Sequence, residues 1–302
     1  MTRSAIQLYT LRRSTDSLAE IIRTVADAGF EGVEFANRIT TASVPDVREA
    51  IETTGIEPVA AHVDLARLDR DLEALVDRFD RIGCTTFMVP HVGSDRFHTT
   101  DEADLLAAAL CETADRLDAR GCRLGIHTTR ELFLPMYGRD PRTALLRIDG
   151  LPRGGYNHLG WAASIGRRRD ARALWDCTPV GHLLEATADA DVDLELDVKG
   201  VVTAGFPVDV VLEAFADRTV AVHVSDVRRS RRFPPDYSPV TPGHGVIDVR
   251  HVIETISHHE IDWCVFEHDD PPDPAVALAE LTELRTRHAV GAPSAELSSA
   301  TD

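Results

Sequence analysis

Lysine is nearly missing from this sequence: of 32 basic residues in 302 positions, only Lys199 is not an arginine. Long apolar runs are missing as well. No stretch approaches the ~18 consecutive apolar residues of a bilayer span, so no membrane-crossing helix is expected. The opening residues, MTRSAIQLYTLRR, lack an apolar core and a small-residue cleavage site. A secretory leader is therefore not expected, and the cytoplasm is the expected compartment. The five cysteines (Cys84, Cys111, Cys122, Cys177 and Cys264) form no C-x-x-C pair. An odd, scattered set argues for reduced thiols used as small core residues, not for a disulfide framework. No G-x-G-x-x-G follows the first apolar run, which removes the dinucleotide-binding fingerprint.

Positive charge is scarce overall. Fifty acidic residues against 32 basic ones give a formal charge of −18. Such a surface repels nucleic acid and anionic membranes, so neither is an expected partner. Dense carboxylates with almost no lysine fit a salt-adapted cytoplasm, as in a halophilic archaeon. In molar salt the Debye length falls to about 3 Å, and the carboxylates no longer repel one another strongly.

What is present is a regular alternation. Apolar, β-rich runs such as SAIQLYT (4–10), GVEFA (32–36), EPVAAHV (57–63), TTFMVPHV (85–92) and CRLGIHT (122–128) alternate with helical patterns. VDLELDV (192–198), RTVAVHVSDV (218–227) and DWCVFEH (262–268) continue the series. Short continuous apolar runs are strands buried on both faces, as in a parallel sheet. Eight β/α units predict a (β/α)8 TIM barrel over residues 1–290, with an open doubly wound sheet as the other arrangement. A long insertion, 134–182, separates the fifth and sixth strands. Tyr137, Tyr156, Trp161 and its arginines point to a lid or a subunit contact, the latter implying a homo-oligomer. The end, 291–302, reads as a flexible tail.

Functional residues of such a barrel sit at the C-terminal ends of its strands. Here those ends carry Glu34, His62, His91, His127, Asp197, His223 and Glu267. Any one of them is an ordinary packed residue. Seven ionisable groups on one rim are costly to bury without purpose, and a divalent cation would answer both charge and geometry.

Several stretches together resemble the xylose-isomerase-like superfamily of sugar phosphate isomerases and epimerases. They are IQLYTLR, DAGFEGVEFA, LLEATADADVDLELDVKGVVTAG, RTVAVHVSDV, and PGHGVIDVRHVIETI followed by WCVFEHD. The resemblance covers about residues 3–130 and 183–288. It implies one divalent metal (Mn, Zn, Co or Mg) held by Asp197, His223, Glu267 and a fourth ligand from the fifth strand, His127 or Glu131. It also implies proton transfer next to a metal-bound carbonyl of a small sugar, sugar phosphate or polyol ketone. Glu267 matches one of the family's two acid/base glutamates. The other position falls on His127, which leaves dehydratase or lyase chemistry of the keto-inositol or dehydroshikimate type as the alternative. An endonuclease-like or non-catalytic member is further off. Glu34, His62, His91 and Arg229 are the substrate-contact candidates, with Arg229 in a run, Arg228 to Arg232, suited to an anionic group. Lys199 is expected to share the strand face of Asp197 if the strand continues, and there to bind an oxyanion or move a proton.

Overall fold

The computed structural model describes residues 2–36, 38–136, 170–231, 236–288 and 290. Tyr137, Tyr156, Trp161, Arg232 and the tail 291–302 lie outside them.

The expected alternation is present. The barrel strands are β1 (Arg3–Gln7), β2 (Gly32–Phe35), β3 (Glu57–His62), β4 (Thr86–Val89), β5 (Arg123–His127), β6 (Asp193–Asp197), β7 (Thr219–Val224) and β10 (Trp263–Phe266). They form a closed parallel barrel in the order β1-β10-β7-β6-β5-β4-β3-β2. β2, β6 and β10 are buried along their whole length, as strands enclosed on both faces must be.

The chain divides into two compact units. The first comprises Met1–His62, Glu73–Thr86 and Val220–Asp302. In it, β1 pairs with β2 and β10, β2 with β3, and β10 with β7, all parallel. Its helix α1 (Leu18–Asp27) starts at a capping box, Ser17 with Glu20, which satisfies two otherwise orphan N–H groups. Helix α2 (Val44–Thr54) ends at Gly55 with φ of 71°, a left-handed position that glycine adopts without strain. The second unit comprises Val63–Leu72 and Phe87–Thr219. It holds β5 paired with β6, and helix α4 (Thr100–Asp118), opened by a second capping box, Thr99 with Glu102.

Three sequence expectations change. The first strand stops at Gln7, and Leu8–Leu11 turn as a 3-10 helix. The fourth stops at Val89, so His91 lies beyond the strand and is exposed. The long run 218–227 breaks at Ser225: β7 ends, and β8 (Asp226–Arg229) begins a separate antiparallel ribbon with β9 (Tyr237–Val240). The inserted segment is partly regular, since Ala171–Cys177 and Pro179–Ala186 are the helices α5 and α6.

Candidate functional site

In the first unit the strand ends bring four of the expected residues together. His223, on β7, is at the centre. Its Nε2 lies 2.8 Å from Glu34 Oε2 on β2, and its Nδ1 lies 3.2 Å from Glu267 Oε2, one residue past β10. His62, the last residue of β3, places Nε2 3.4 Å from the same Glu34 oxygen. The two imidazoles stack nearly parallel with centroids 5.8 Å apart. The ligand atoms of Glu34, His62 and His223 fall within 4.8 Å of one another.

Gln7 joins this group, and sequence reading missed it. Its Oε1 accepts the Tyr9 N–H at 3.1 Å, which turns Nε2 toward Glu34, to which it donates. The signal was a polar residue ending the first strand directly after two apolar ones, Ala5 and Ile6.

The charge balance of this group is informative. Glu34 and His223 are fully buried, and Glu267 is only 7% exposed. Two imidazoles, His62 and His223, meet two carboxylates, Glu34 and Glu267. Burying carboxylates is unfavourable unless imidazolium groups or a cation answer their charge. Mixed imidazole and carboxylate donors suit Zn²⁺, Co²⁺ or Mn²⁺. The residues present therefore fit a divalent metal.

Burial, the largest cause, holds the His268 imidazole below its ordinary pKa, although Glu280 and Asp270 pull it upward. The Asp270 N–H donates to His268 Nδ1, which requires that nitrogen to be an acceptor. Burial also raises the Cys264 thiol far above its normal range, so this cysteine is an inert core residue, as its sequence context implied.

In the second unit, β6 carries Asp193, Glu195 and Asp197 on one face, because alternate strand residues point the same way. All three are buried. Asp193 pairs with Arg123 at 2.7 Å, and burial raises its pKa. Glu195 was not singled out from sequence, although the alternating acids of DLELD carried the signal. Asp197 ends the strand and caps helix α7 (Val198–Ala204): its Oδ1 accepts the Lys199 N–H at 2.9 Å. The Asp197 N–H in turn donates to Thr128 Oγ1 at 2.8 Å. The strand does not continue to Lys199, contrary to expectation. A helical first turn instead brings its Nζ to 3.3 Å from Asp197 Oδ2, with the side chain 24% exposed. His127 is the last residue of β5, and Glu131 is partly exposed on a 3-10 turn, Arg130–Phe133, just beyond it.

The remaining candidates are carried by the β8–β9 ribbon and the loop after it. Arg228, Arg229 and Arg231 are exposed on or beside the β8–β9 ribbon, Arg229 opposite Tyr237. Asp226 organises the loop that follows the ribbon. Its carboxylate accepts N–H groups from Val227, Gly243, Gly245 and Ile247 at 2.7–3.1 Å. His244 in this loop is exposed.

A family model described as Xylose isomerase-like TIM barrel matches residues 22–287. Among solved structures, a sugar phosphate isomerase/epimerase from Parabacteroides distasonis is similar, with a TM-score of 0.69 at 14% identity over 94% of this chain and 95% of that one. The IolI protein with a bound zinc atom is similar with a TM-score of 0.66 at 14% identity, covering 96% and 98%. The probable 3-DHS dehydratase AsbF of petrobactin synthesis from Bacillus anthracis gives a TM-score of 0.64 at 12% identity, covering 95% and 99%. No curated protein sequence matches the chain. At these identities the structural likenesses establish the fold.

Proposed function

The chain belongs to the Xylose isomerase-like TIM barrel family, and on that premise we propose that it is a divalent-metal-dependent isomerase or epimerase of a small sugar, sugar phosphate or related polyol ketone. The observation that carries this reading is the convergence of two buried carboxylates, Glu34 and Glu267, with the imidazoles of His223 and His62. His223 and Glu267 are two of the residues the family resemblance assigns to the metal. The resemblance adds Asp197 and His127 (or Glu131) from the strands that follow β7 in the barrel order. A bound cation supplies Lewis-acid polarisation of a substrate carbonyl.

The chain's own residues handle the proton. Glu267 takes or returns it at the carbon beside the carbonyl, oriented by its contact with His223 Nδ1. Lys199 and Glu131, both partly exposed, are the candidates for the opposite transfer or for holding the developing oxyanion. The arginines of the ribbon suit an anionic end of the substrate. The zinc-bearing neighbour and the isomerase/epimerase neighbour are consistent with this chemistry, and the dehydratase neighbour keeps water elimination as the alternative.

A proton-exchange assay tests it. Metal-loaded and metal-stripped protein are incubated in D₂O with ketoses, aldoses, their phosphates and keto-inositols, and followed by NMR. Deuterium should enter at the carbon next to the carbonyl, with an isomer forming, in the loaded protein alone. Loss of water or carbon from the substrate would move the assignment to dehydratase or lyase. No exchange with any metal across the panel would sink the catalytic reading.

A further inference from the structure

Resting on the isomerase reading above, we infer that Thr10 is a positioning residue for Glu267: its hydroxyl takes over where the β1–β10 ladder ends and holds the chain through Glu267 in line with the site.

The ladder stops short of the residue it should support. β1 and β10 run in parallel register from Arg3 with Trp263 to Ile6 with Phe266, and there the pairing ends. Glu267 stands one residue further on. On the β7 side its N–H still donates to the Val224 carbonyl at 3.2 Å. On the β1 side the backbone turns away as the 3-10 helix Leu8–Leu11 and no longer continues the ladder. Thr10, a member of that turn, restores the contact with a side chain: its Oγ1 accepts the His268 N–H at 3.0 Å. Thr10 is wholly buried and His268 is 5% exposed. The bond is therefore shielded from water, and an N–H left without it would be costly to keep there.

The turn that carries Thr10 is itself fixed. Leu8 and Leu11 are buried, and Gln7 Oε1 accepts the Tyr9 N–H at 3.1 Å. Beyond His268 the two segments meet again. Asp270 Oδ1 accepts from Arg12 Nη2 at 3.0 Å and from Arg13 Nη2 at 2.7 Å, and Arg13 Nη1 donates to the Pro271 carbonyl at 3.2 Å. Asp270 is more than half exposed, and ion pairs on an exposed carboxylate contribute little. The weight of the attachment falls on the buried hydroxyl of Thr10. On the opposite side of His223, Gln7 of the same segment donates to Glu34. One short stretch, 7–10, thus reaches Glu34 directly and the chain at Glu267 through its neighbour. A misplacement on the order of 1 Å at a proton-transferring carboxylate costs far more in turnover than in binding.

The test compares Thr10→Val, which replaces the hydroxyl with a methyl group, with Thr10→Ser, which keeps it, in the full-length, metal-loaded protein. Amide hydrogen exchange at His268, read by NMR, reports the bond directly. The substrate proton-exchange assay, run on the compound that wild type turns over, reports the consequence. In T10V the His268 amide should lose protection by about tenfold or more. Its kcat should fall about tenfold or more, with KM within about threefold of wild type. T10S should restore both. Circular dichroism checks folding, and should T10V not fold, T10A carries the same expectation. Wild-type kcat in T10V, a change confined to KM, an unchanged His268 amide, or a T10S no better than T10V would overturn the positioning role. A wild type that exchanges no substrate proton would instead overturn the isomerase reading itself, and the role of Thr10 in that reaction with it.

Discussion

Lys199 follows Asp197 by two positions, and the helix that starts between them returns its ammonium to the same carboxylate. That contact keeps the charge, but it does not by itself decide whether the charge or the proton matters. Lys199→Arg separates the two. Arginine preserves a cation beside Asp197, yet a guanidinium stays protonated at every workable pH and cannot exchange a proton. The variant is expected to fold and bind metal as wild type while turnover falls by about 10²-fold or more. Steady-state rates on the first active substrate, beside Co²⁺ titration, check it. Undiminished turnover would reduce Lys199 to its charge. Much at this scale was legible in the sequence. Glu34, His62, His223 and Glu267 stood out as ionisable residues in apolar runs. Gln7 did not, because a neutral amide carries no cost signal until its carboxylate partner is known. Glu195 did not, because the turn-side residues of LELDVKG drew attention from the strand face behind them. His91 was misplaced because a proline, Pro90, ends β4 before it, consistent with proline's inability to donate in a central strand.

At the scale of elements, the loop after the β8–β9 ribbon is built around one carboxylate. Asp226 accepts four backbone N–H groups from residues 227–247, so its charge is satisfied by peptide dipoles. The sequence PGHGVID showed a glycine turn, but not what the glycines face. Gly245 has no space for a side chain: a Cβ would stand 2.2 Å from Asp226 Oδ1 and 2.4 Å from the Val227 carbonyl oxygen. Neither atom can withdraw without breaking the hydrogen bonds that define the loop. Gly245→Ala should therefore cost about 1–3 kcal/mol of stability. Urea unfolding reads this out, and a variant as stable as wild type would show the loop to be adaptable. The ribbon itself was illegible because β8 resumes only one residue after β7. Periodicity cannot mark a one-residue break, whereas the antiparallel pairing of Asp226 with Val240 is visible only once the chain has folded back. The barrel strands were legible for the opposite reason. Each is a short, largely buried run followed along the chain by a helical pattern.

Across the whole molecule the acidic excess is a stability statement with a sign. At low ionic strength, 50 acidic residues against 32 basic ones repel one another over a Debye length of ~10 Å at about 0.1 M salt, shrinking to ~3 Å near 1 M. The unfolded chain spreads the same charge over a larger volume, so screening relieves the folded state more. The exposed i,i+4 pairs, among them Arg48–Glu52, Arg172–Asp176 and Arg250–Glu254, work the other way. Salt weakens them, but exposed pairs of this kind contribute little, and they leave the net charge unchanged. The repulsive part therefore dominates, and the salt adaptation we propose follows from it. The thermal midpoint should rise steadily in KCl between about 0.1 and 2 M, each kcal/mol of relief appearing as roughly 2–4 °C in a chain of this size. Chloride is the appropriate salt, since sulfate strengthens apolar burial on its own and would mask the effect. A midpoint that is flat or falls across that range would mean that short-range ion pairs, and not overall repulsion, set the stability. The scarcity of lysine would then reflect coding bias toward arginine, with no consequence for the folded protein beyond the one position, 199, where lysine was kept.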